Sequence, residues 1–199
     1  MIQSQLPSYR DFGIRGNKSI PEYFKNEVLK ALSFFPELEH TSITFQLSKK
    51  TAKHIMHTHV SLSSLLFNKH KRAYTIIISN NFYLQNAEIR MSFIPKDVLI
   101  GWLGVELAKI LAYESISTYQ LLTEMFSYQV SKEFVKKKEL KANRCAKKRM
   151  KTYVPAARKF IIDKSNLPLQ VVEKVNTMYT SPALIVNFIN AHSAVKKTK

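Results

Sequence analysis

With a single cysteine, Cys145, no intramolecular disulfide can form, and the fold must rest on its core alone. Glycine is scarce at four in 199 residues, and the seven prolines are scattered. No Gly/Ser-rich or Pro-rich linker divides the chain, and one domain spanning 1–199 is expected, with a frayed tail over 193–199. Acids are few: 14 Asp plus Glu stand against 31 Lys plus Arg, for a formal net charge of +17. The longest apolar stretch, Val98 to Tyr113, is interrupted by Glu106 and Lys109 and is too short to span a bilayer. The N-terminal Met1-Ile-Gln-Ser-Gln-Leu-Pro-Ser lacks the apolar segment of a secretory signal. These absences predict a cytoplasmic chain with no membrane span.

What is present suffices for a core, since 45% of the residues are hydrophobic. The positive excess draws polyanions, so nucleic acid or an anionic surface is one class of partner. No homeodomain, zinc-finger or RNA-recognition signature accompanies the charge, so such binding is expected to be nonspecific. The densest run, Lys132 to Lys151, holds ten basic and two acidic residues, which helical wrapping spreads over a broad surface.

Ser19-Ile-Pro-Glu22 opens a helix over 21–34, with apolar residues at helical spacing from Tyr23 to Phe35. Alternation over 41–48 and the β-branched run over 72–79 predict strands, the second ending in a turn at Asn80-Asn81. The segment between them and Ala87 to Phe93 are weaker strand candidates. From Pro95 the pattern turns helical, beginning with a segment apolar on nearly every face and therefore buried. Further helices are expected over 117–134, 137–151, 155–163, 168–178 and 182–192. The fold class is α+β, predominantly helical, with a small sheet in the N-terminal half.

Within the buried helix lies Val105-Glu-Leu-Ala-Lys109. Its spacing resembles the His-Glu-x-x-His helix of zincin metallopeptidases, where two imidazoles four residues apart share one face and grip zinc while the Glu acts on the metal-bound water. Downstream, Glu139-Leu-Lys-Ala-Asn143 is similar to the Glu-x-x-Ala-Asp helix of the gluzincin branch. That resemblance implies that Glu139 stands where the third metal ligand would, with Asn143 in place of an Asp supporting the ligands from behind. Val105 and Lys109 occupy the two imidazole positions; valine offers no lone pair and an ammonium repels a cation. The resemblance therefore implies a zincin-like pseudoenzyme, with Val105, Glu106, Lys109, Glu139 and Asn143 as a vestigial site, no active catalytic residue, no metal and no cofactor. Its expected role is to bind or scaffold a protein or peptide partner. Lys109, one turn from Glu106, is expected to carry its ammonium between Glu106 and Glu139.

The alternatives are a basic binder of nucleic acid or anionic surfaces, and a hydrolase with unconventional ligands. For the latter the only source is His54-Ile-Met-His57-Thr-His59, where a strand puts His57 and His59 on one face and His54 on the other. No Cys or carboxylate lies within that segment, which favours surface histidines over a metal site. Cys145 has no His near it in sequence and reads as a small buried hydrophobe.

Overall fold

The structure is a computed structural model describing residues 17–48, 54–66, 71–85, 87–165, 167–178 and 182–197. It is α+β, with strands confined to the first half and helices filling the second. Strands β1 (Lys18–Ser19), β2 (Ser42–Ser48), β3 (Met56–Val60) and β4 (Ala73–Ser79) form one sheet in the order β1-β2-β4-β3. The first three pair in parallel, whereas β3 runs antiparallel to β4 at the edge. A hairpin of β5 (Asn81–Leu84) and β6 (Ala87–Arg90) follows. The weaker strand candidates thus correspond to β3 and β6, while β5 begins directly at Asn81, where a turn was expected.

The pleat explains which face is covered. Tyr74, Ile76 and Ile78 alternate along β4 and are all buried, the first two opposite the buried Ile43 and Phe45 of β2. Against this face lies α2 (Lys96–Glu114), buried continuously from Val98 to Ile110 as its all-round apolar pattern predicts. Helices α1 (Lys25–Leu32), α4 (Lys132–Arg149) and α5 (Tyr153–Lys164) pack on α2, and α3 (Thr118–Val130), α6 (Leu169–Met178) and α7 (Pro182–Lys197) complete the helical half.

Several helix boundaries differ from expectation: the helix expected over 21–34 is α-helical over Lys25–Leu32 after a 3-10 turn, and the one expected over 117–134 ends at Val130. The helix expected at 137 starts at Lys132, because Ser131 takes extended geometry and its hydroxyl accepts from the Phe134 amide. The tail expected to fray from 193 is helical through Lys197, since no glycine or proline interrupts the run after Pro182; residues 198 and 199 lie outside the described residues.

Helix α2 approaches α5 through Gly101, where an added Cβ would lie against the Tyr153 carbonyl and Ala157. At Gly104 it would instead meet the flexible end of Met150. Gly101→Ala is expected to destabilise by the upper part of the ~1–3 kcal/mol range for overpacking, because backbone cannot yield. Gly104→Ala should cost clearly less in the same urea titration. Equal losses would contradict this packing.

Candidate functional site

Glu106 and Lys109 are three residues apart on α2, so both side chains leave the helix on one side. Glu139 reaches the same point from α4. The Lys109 Nζ donates to Glu106 Oε1 at 2.8 Å and lies 2.6 Å from Glu139 Oε1. All three residues are buried, with exposures of 4%, 9% and 7% for Glu106, Lys109 and Glu139. The ammonium therefore stands between the carboxylates, as its place on the helix predicts. The other oxygen of Glu106, Oε2, accepts from the Thr58 hydroxyl at 2.7 Å.

Burial drives the protonation balance. Loss of water pushes the Glu106 carboxyl above its ordinary value, opposed by the Lys109 ammonium and reinforced by the Glu139 charge. Burial by itself lowers the Lys109 ammonium, but the two carboxylates outweigh it and raise the group above its ordinary value, so it stays charged. The Tyr113 and Tyr128 hydroxyls are both pushed up, mainly by burial.

The donor set does not fit zinc. An ammonium at charge-assisted hydrogen-bond distance from both carboxylates fills the point on which they converge. Val105, at 4% exposure, lies with Ile55, Met56, Trp102, Glu106, Pro182 and Ala183 around a gap of about 20 Å³. No family model, no curated protein and no solved structure matches the chain. The zincin resemblance thus rests on the two sequence motifs alone.

Asn143 is buried at 3% exposure on α4, and its Oδ1 has no hydrogen-bond partner among the described residues. Four residues beyond Glu139, it has moved a full turn along the axis to where α4 faces α5.

Beside the buried ions opens a cleft of about 690 Å³. Lys109 and Tyr113 of α2, Met125 and Tyr128 of α3, Val135 and Glu139 of α4, and Leu184 and Asn187 of α7 line it. All five residues of β3 line it as well. Side chains of alternating direction can share one cleft only if it runs along the strand's edge. That edge is unpaired among the described residues. The Ser79 amide donates to the Ile55 carbonyl and the Ser61 amide to the Ala73 carbonyl, so odd-numbered residues bond to β4. By antiparallel alternation, the N–H and C=O groups of Met56, Thr58 and Val60 point toward the open edge.

The histidines do not assemble a metal site: among the described residues no three His, Cys, Asp or Glu side chains are gathered suitably. His57 and His59 share a face, their ring centroids 4.6 Å apart. His54 lies before β3, not within it, and its ring comes 6.2 Å from that of His57, a correction to its expected place on the opposite face. Burial, then the charges of His59, His54 and Lys109, lowers His57 to about 4, so this ring is neutral at pH 7. Cys145 is half-buried at the margin of the core. Lys137, Lys141, Lys147 and Lys148 lie exposed on α4, the broad cationic surface expected of its sequence. No helix is long and apolar enough to cross a membrane among the described residues.

Sequence reasoning missed Thr58, Tyr113 and Tyr128. Tyr113 carried a signal, standing four residues after Lys109 on the same helix face. Thr58 and Tyr128 arrive through long-range packing and carried none.

Proposed function

We propose that the chain is a metallopeptidase-like pseudoenzyme of the cytoplasm, whose metal position is closed by an ammonium and whose cleft holds an extended segment of a protein partner. The observation that carries this reading is Lys109, with Nζ at 2.8 and 2.6 Å from the two carboxylates a metal would need. An arriving cation has to expel it. Glu106 is also poorly placed as a general base, because Lys109 holds one oxygen and Thr58 the other.

The binding role rests on the open edge of β3. Unpaired main-chain groups beside a concave wall suit a peptide that adds itself as a further strand, with main-chain bonds for affinity and cleft contacts for selectivity. Apolar Met125, Val135 and Leu184 favour apolar side chains at alternate positions of such a peptide.

A library of displayed ten-residue peptides, panned against the full chain, is expected to yield binders. Val60→Pro, which deletes one N–H on the open edge, should weaken them by about tenfold. The thermal midpoint should stay within a few degrees, since that N–H has no partner in the sheet. Binders indifferent to Val60→Pro and to Met125→Glu would contradict a peptide in this cleft.

A further inference from the structure

Helices α4 and α5 enclose a second cavity, of about 530 Å³, which shares no lining residue with the cleft beside β3. Arg144 and Lys147 of α4 face Arg158 and Lys159 of α5 across it, with Asp163 as the one acid among its lining residues. The helical repeat explains the gathering: 144 and 147 are three apart, and 159 and 163 four apart, so each helix turns a single stripe to the gap.

Two cations of α4 outside this cavity are held by acids. Arg149 is paired with Glu37 at 2.7 Å and Lys138 with Glu124. Arg144, Lys147 and Lys159 make no ion pair or side-chain hydrogen bond among the described residues. Like charges around a concave surface repel one another and focus a positive potential into the hollow. An anion that entered would relieve that repulsion.

We propose that this cavity binds a small organic ester carrying two phosphate groups. Arg144 offers a planar fork matched to phosphate oxygens, and Lys147 and Lys159 offer mobile point charges. Four basic groups against one acid suit a ligand with about three negative charges, which a bisphosphate or diphosphate supplies near neutral pH. Val154, Pro155 and Ile162 provide an apolar wall for the body of the ester. The volume lies within the range of small-molecule sites, roughly 300–1,000 Å³. A single nucleic-acid strand fits less well, because no aromatic side chain lines the cavity to stack a base.

The test is calorimetric titration of the full chain with fructose 1,6-bisphosphate and with adenosine diphosphate, at about 0.15 M salt. Unphosphorylated fructose and a twelve-residue oligouridylate serve as comparisons. One-site binding of either ester is expected, with none for fructose. Arg144→Gln with Lys159→Gln should weaken it at least about tenfold. Lys132→Gln with Lys137→Gln removes equal charge elsewhere on α4 and should change it less than about twofold. All four positions are exposed, so the variants should fold, as circular dichroism can verify. No saturable binding of either ester would overturn the proposal. So would equal weakening by both variant pairs, or preference for the oligouridylate over both esters.

Discussion

Lys109→Ala is expected to lower folding stability by about 3–5 kcal/mol, the range for removing one partner from a buried ion pair. Its ammonium is the cation that meets both carboxylates, and no other lies within salt-bridge distance of Glu106 among the described residues. Without it, two buried acids face each other with nothing between them. Lys141→Ala, on the exposed side of α4, should change stability by no more than about 0.5 kcal/mol. The loss at Lys109 should also depend on pH. Glu106 already has its carboxyl raised by burial, and removing the ammonium takes away the main opposing influence. An acid whose folded value exceeds its unfolded one favours the folded state while protonated. That stability is present below the ordinary carboxylate range and is lost as pH rises through it toward the raised folded value. Lys109→Ala should therefore be less stable at pH 8 than at pH 5. Lys109→Met combined with Glu106→Gln removes one charge of each sign and should recover part of the loss. Urea titrations at the two pH values measure all of this, and a Lys109→Ala variant as stable as Lys141→Ala would contradict it.

Sequence made some of this arrangement readable and hid the rest for physical reasons. Strands β2 and β4 came within a residue of their observed limits because β-branched and alternating residues mark a half-buried pleat. Strand β3 was faint, since its His-Thr-His centre carries no apolar alternation; its place is fixed by pairing to β4. Local spacing was enough to place Glu106 beside Lys109. Glu139 was placed by motif resemblance, and its meeting with Lys109 depends on how α4 packs on α2. Asn143, four residues beyond Glu139, borders the cavity between α4 and α5. A residue four positions on shares a face but sits about 6 Å further along the axis, enough to leave one site and border another.

In the pseudoenzyme proposed above, α2 and α4 keep the geometry of a zinc site with Lys109 standing in a ligand's place. Restoring the ligands tests it most directly. In Val105→His/Lys109→His, the two imidazoles four residues apart would share a face of α2 with Glu139 opposite, giving three protein ligands of the kind zinc accepts. Imidazole is larger than the valine it replaces, and the gap there is only about 20 Å³, so the metal-free variant should be less stable than the native chain. Zinc binding then adds to folding stability. After dialysis, elemental analysis is expected to find about one zinc per chain in the double variant, none in the native protein, and none once Glu139→Ala is added. A double variant that takes up no more zinc than the native chain, folded or not, would contradict the account.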